Sequence, residues 1–129
     1  MSATPMTLFW SFIAGFAGIY LIALLSQNNT FFPLFAPFGA SAVLLYGAPA
    51  APFSQPRNLI GGHVLSALIG VLIYNLLGSS IFSIAFAVAF AIGAMLFFRV
   101  VHPPAGATAL IGVSSSGGSY FWIITPVLS

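Results

Sequence analysis

His102-Pro103-Pro104-Ala105-Gly106-Ala107-Thr108-Ala109-Leu110 sets two prolines between a long apolar run and a series of small and hydroxyl-bearing residues. Proline removes a backbone donor and restricts the residue before it, so the preceding helix is expected to stop here. The residues that follow start a new helix, whose first turn exposes N–H groups and the positive end of a helix dipole. A weaker echo stands at Pro37-Phe38-Gly39-Ala40-Ser41-Ala42-Val43-Leu44. With Pro37 laid on Pro104, the two segments share the proline, the glycine and both alanines, and set Ser41 against Thr108. Each copy follows an apolar span and precedes a Pro- or Gly-rich loop. The chain therefore reads as an internal repeat, the first copy over about 6–77 and the second over about 82–129, incomplete at its C-terminal end.

The composition fixes the solvent. Of 129 residues, 60% are hydrophobic and 2% charged, whereas a soluble domain carries about 25% charged residues. Each apolar run is close to the ~20 residues that cross the hydrocarbon core of a bilayer. The expected architecture is an all-α membrane protein, one transmembrane domain over residues 1–129. It is a polytopic bundle of three full spans, at 7–26, 58–77 and 82–101, with two Pro-broken half-helices at about 38–46 and 105–113. Residues 27–30 are polar and belong at one membrane face, 48–56 form a Pro-rich loop, and 78–80 make a tight turn. A loop follows at 114–119, and 120–129 opens an apolar segment too short to cross. The first residues lack the positive stretch of a cleaved signal peptide, so 6–26 reads as a retained span.

Charge excludes more than any motif adds. The chain has no Asp and no Glu. Cation channels, cation transporters and proton pumps commonly rely on intramembrane carboxylates, and hard-cation sites need them too. Without cysteine there is no thiolate nucleophile, disulfide or thiol metal site. Ser with His alone makes a poor catalytic set, so the chain is not expected to be an enzyme, to bind a metal or to need a cofactor. A formal charge of +2 is too small for a nucleic-acid surface.

What remains suits a small inorganic anion. Paired broken helices at corresponding positions mark transporter sites, and irregular backbone at membrane depth must be buried or line a cavity. Gly39, Ala40 and Ser41 in one copy and Gly106, Ala107 and Thr108 in the other would offer close backbone approach and hydroxyl donors. The bland reading is that both segments merely kink helices for packing. His102 could donate a hydrogen bond or a proton to the anion, or could cap the helix before it. Arg99 reads as a pore-mouth attractor or as a snorkelling anchor. His63, one turn into its span, is either a functional ionisable group or a neutral ring bonded between helices. Arg57 and Asn58 open the same span and could collect anions at its mouth.

Gly62, Ser66 and Gly70 recur every four residues, as do Ala85, Ala89 and Gly93; both read as stripes for close helix contact in lipid. Arg57 and Arg99 flank the 78–80 hairpin on one side, which the positive-inside rule makes cytoplasmic.

The His102–Leu110 stretch resembles the signature of the HPP family of small integral membrane proteins. Gly39-Ala40-Ser41-Ala42-Val43-Leu44, Gln55-Pro56-Arg57-Asn58-Leu59-Ile60-Gly61-Gly62-His63 and Thr125-Pro126-Val127-Leu128 look like further segments of it. The resemblance runs from about Phe35 to Leu128 and implies four transmembrane helices, whereas here the last motif is followed at once by Ser129. Some plant-chloroplast and cyanobacterial members are linked to nitrite transport. The resemblance thus implies passage of nitrite or a similar anion, in a bacterial inner membrane of cyanobacterial type or a plastid envelope. At this size a homo-oligomer is expected in the lipid bilayer. The rival readings are a structural or assembly subunit and a channel for a small neutral solute.

Overall fold

The computed structural model describes residues 4–25 and 35–114. Five α-helices follow in order: α1 (Pro5–Leu25), α2 (Phe35–Ala42), α3 (Pro56–Leu77), α4 (Ile81–Phe98) and α5 (Ala105–Ser114). α2 runs on into a π-helical turn, Val43–Gly47, and a short 3-10 turn, Pro52–Ser54, leads into α3. Helices α1, α3 and α4 are long and apolar enough to cross a membrane; the protein is an integral membrane protein of the all-α class. The anticipated segment at 120–129 lies outside the described residues.

The helix starts follow from local chemistry. Pro5 and Pro56 stand in first turns, where no intrahelical N–H is needed. Thr4 and Thr7 form a reciprocal cap: the Thr7 N–H donates to Thr4 Oγ1 at 3.2 Å, and the Thr4 N–H donates to Thr7 Oγ1 at 2.9 Å. The Ser83 N–H donates to Ser80 Oγ at 3.1 Å to open α4. Pro37, expected to precede its half-helix, instead lies in the first turn of α2.

α4 ends earlier than the proline rule predicts. The Arg99 N–H donates to the Leu96 carbonyl and the Val100 N–H to the Met95 carbonyl, at 3.2 and 2.9 Å. This paired closure is a Schellman motif, and it places Arg99 at φ 56° in the left-handed region usually left to glycine. His102-Pro103-Pro104 therefore does not stop α4; it starts α5. A left-handed non-glycine residue costs ~1–2 kcal/mol. Arg99→Gly is thus expected to keep the fold and raise thermal stability slightly. A clear drop in melting temperature in detergent would show that the arginine side chain outweighs its backbone strain.

The packed body is α3, α4 and α5. Gly62, Ser66 and Gly70 do form a close-contact stripe, and it meets α5 and the turn before it. A Cβ at Gly62 would sit 2.8 Å from His102 Cβ, and one at Gly70 would sit 2.7 Å from the Ala109 carbonyl oxygen. The second stripe is corrected: Ala85, Ala89 and Gly93 are exposed. α4 packs inward through Ser83, Ala87, Ala91 and Met95, two residues on and so on roughly the opposite face of the helix. Because almost all of α4 is apolar, hydrophobicity alone could not pick the inward face. α1 leans on the π turn: the Ser11 hydroxyl donates to the Tyr46 carbonyl at 2.6 Å, and Gly18 leaves room for the Tyr46 ring.

Candidate functional site

Four buried polar side chains meet between the half-helices and α3. Ser41 comes from α2, His63 from α3, His102 from the turn before α5, and Thr108 from α5; their exposures are 5%, 2%, 0% and 0%. Ser41 Oγ lies 2.9 Å from His63 Nε2 and 2.8 Å from His102 Nε2. The other nitrogen of His63 lies 2.8 Å from Thr108 Oγ1. His102 Nδ1–H donates to the Phe53 carbonyl at 2.7 Å. The two imidazoles are tilted by 64° with centroids 5.0 Å apart, and the Phe38 ring packs edge-on to His63 at 5.7 Å.

Local folding explains why these groups converge. Gly62, beside His63, lets the α3 backbone come against His102 and Val100. Thr108 sits one turn into α5, so the short helix aims it back toward α3. The π turn after Ser41 widens the helix and leaves carbonyls without their usual partners. The single proton of the Ser54 hydroxyl is shared there between the Ala48 carbonyl at 2.7 Å and the Leu44 carbonyl at 2.9 Å, which also takes the Ala48 N–H. That fixes the loop carrying Phe53. Ser41 and Thr108, aligned in the sequence repeat, hold the two nitrogens of one imidazole ring.

The remaining candidates take other places. The Asn58 amide donates to the Val101 carbonyl at 2.8 Å, and the Arg57 guanidinium to the Phe98 carbonyl at 3.3 Å. They tie the start of α3 to the end of α4 and to the connection after it, about 7–9 Å along the helix from His63. Arg99 is exposed at the same end, as the hairpin reading requires. Ala40 is exposed and Ala107 half-buried. Gly39 and Gly106 are half-buried, with open space where each Cβ would stand. No close backbone approach uses them; the positions that need glycine for contact are Gly62 and Gly70.

The expectation of free amides at the second half-helix is also corrected. The N–H groups of Ala105, Gly106 and Ala107 donate to the carbonyls of His102, Pro103 and Pro104, at 2.9, 3.1 and 3.1 Å. The double proline supplies carbonyls to tighten that turn and no competing donors. Polarity at this site therefore comes from side chains. The Phe53 carbonyl and the Phe38 ring were missed, because a backbone oxygen leaves no mark in a residue pattern. Among the described residues, no group of three or more metal-ligating side chains occurs.

Comparison with known proteins agrees with the motifs. The family model for the HPP transmembrane region matches residues 1–129. Two transmembrane proteins of Dictyostelium discoideum are similar, one 41% identical over 133 residues and the other 40% over 134. Each match takes in 93% of this chain and 42% or 46% of the relative, so the chain spans less than half the length of these relatives. No solved structure matches it. By motif, by composition and by match along its whole length, the chain belongs to the HPP family of integral membrane proteins.

Proposed function

We propose that the protein carries a small monovalent anion, nitrite foremost, across the membrane past the Ser41–His63–His102–Thr108 centre. The observation that carries this reading is a cluster of four buried polar side chains in a chain with no carboxylate. Ionisable groups inside a membrane protein are costly and are retained where they act on a substrate or ion path. Hydroxyls and imidazoles can replace an anion's hydration shell through hydrogen bonds, while the lack of fixed charge lets the ion leave. On the positive-inside rule, the Arg57–Arg99 end faces the cytoplasm and attracts anions there.

Uptake of nitrite into liposomes holding the purified chain tests this, with and without a pH gradient. Protein-free vesicles must be run alongside, because nitrous acid crosses lipid unaided. Uptake above that background is expected, and Thr108→Val should reduce it at least tenfold while helical content stays unchanged. Uptake equal to protein-free vesicles under every condition removes the reading.

A second reading is favoured by one observation: every described buried side-chain nitrogen and oxygen has a partner. On that reading the centre is a structural clasp and the chain an assembly subunit. It expects Thr108→Val to lower stability and to leave no separate transport defect.

A further inference from the structure

Resting on the anion reading above, we propose that the His63–His102 pair is a proton-loaded switch. One extra proton frees the Thr108 hydroxyl to donate to the anion, so that proton and anion move together.

The argument starts at the Phe53 carbonyl, which accepts and never donates. His102 Nδ1 must therefore carry a hydrogen. In the neutral ring, His102 Nε2 is then a lone pair, and the Ser41 hydroxyl donates to it. Having given its only proton, Ser41 Oγ accepts from His63 Nε2–H. His63 Nδ1 is left as a lone pair and accepts from the Thr108 hydroxyl. The resting chain thus has one direction, Thr108 to His63 to Ser41 to His102 to Phe53. In this state Thr108 offers a ligand only lone pairs, which repel an anion.

One added proton reverses the chain. An acid, either hydronium or the protonated anion, gives its proton to Thr108 Oγ1 as the original Thr108 O–H proton passes to His63 Nδ1. The His63 Nε2–H bond breaks as a new O–H forms on Ser41. The original Ser41 proton moves to His102 Nε2, leaving His102 an imidazolium and His63 neutral with its hydrogen on Nδ1. The acid has become its conjugate anion. Thr108 now accepts from His63 and points its new O–H at that anion. The cation on His102 offsets the anion's charge, so neither charge enters the buried centre alone. Return of the proton by the reverse steps restores the resting polarity and ends the attraction.

Among the described residues, nothing else near the pair competes for that proton. α2 and α5 carry no titratable side chain, and neither does the body of α4. Tyr46 of the π turn lies against Gly15 and Gly18 of α1, which itself carries Tyr20. On α3, Arg57 is bonded to Phe98 at one end and Tyr74 lies toward the other. Arg99 is exposed beyond α4, and the chain holds no Asp or Glu.

Nitrogen-15 NMR of the histidine rings, on the full chain in lipid nanodiscs, reads the switch without any transport step. At high pH, His63 is expected as the Nε2–H form and His102 as the Nδ1–H form. Acidification should add one proton to the pair and turn His63 into the Nδ1–H form. Sodium nitrite should move that uptake to higher pH, by about one unit for each tenfold of coupling. Thr108→Val should abolish the nitrite-dependent shift. A His63 tautomer that never changes, or a midpoint indifferent to nitrite in the wild type, overturns the proposal. The two readings fail separately. Nitrite uptake without proton consumption removes the switch and leaves passage standing. Tautomer reversal with a nitrite-shifted midpoint but no uptake in liposomes removes passage and leaves the switch.

Discussion

Gly70→Ala is expected to be the most damaging single-methyl change in the bundle. The added Cβ would stand 2.7 Å from the Ala109 carbonyl oxygen and 3.1 Å from Gly112 Cα. Both are backbone atoms of α5, and neither can rotate aside. α3 and α5 must separate instead, among neighbours such as Ala67, Val71, Ala105 and Val113 that are 0% exposed. Overpacking of this kind costs ~1–3 kcal/mol. Gly70 lies two turns from His63 on the same face of α3, so the separation also stretches the 2.8 Å contact between His63 and Thr108. Gly93→Ala is the matching control, since nothing lies within 4 Å of its Cβ position. Thermal unfolding in detergent should show a large loss for Gly70→Ala and none for Gly93→Ala. Equal melting temperatures would mean that the stripe is not a tight contact.

The second large effect is at His63. His63→Leu strips the partner from Thr108 and one of two partners from Ser41, in a site with almost no exposure. Leaving a buried hydroxyl unpaired costs ~1–3 kcal/mol. Bonding back to the carbonyl one turn earlier relieves part of this, at Pro37 for Ser41 and Pro104 for Thr108. Stability should fall by at least ~1 kcal/mol on these grounds, and nitrite uptake should vanish. Adding Thr108→Val to His63→Leu removes the orphaned hydroxyl together with its former partner. The double variant should recover stability relative to His63→Leu while uptake stays lost. Strict additivity of the two changes in a double-mutant cycle would show that the two side chains do not act together.

The sequence carried the solvent, the span positions and the hairpin because each depends on long runs of apolar residues. It also carried the convergence of Ser41 and Thr108, through the shared Pro-x-Gly-Ala-Ser/Thr pattern. It misread details set by backbone geometry. The end of α4 is closed by a left-handed Arg99, a role that residue type does not advertise. The inward face of α4 was misplaced because Ala87 and Ala91 look no different from Ala85 and Ala89. At the site, His63 is bonded between helices, at the centre of the polar cluster. The first-turn amides of α5 were expected to serve a ligand, yet the carbonyls of His102, Pro103 and Pro104 already take them.

The clasp of one imidazole by hydroxyls from both short helices, α2 and α5, also bears on biogenesis. Ser41 and His63 are made well before Thr108, so during synthesis the ring has no final companion until α5 has been translated. The early helices must wait in the insertion machinery or in lipid with an open polar seam. Closure is then a late event, triggered by arrival of the second short helix, and chains arrested before that point present surveillance proteases with an unfinished interior.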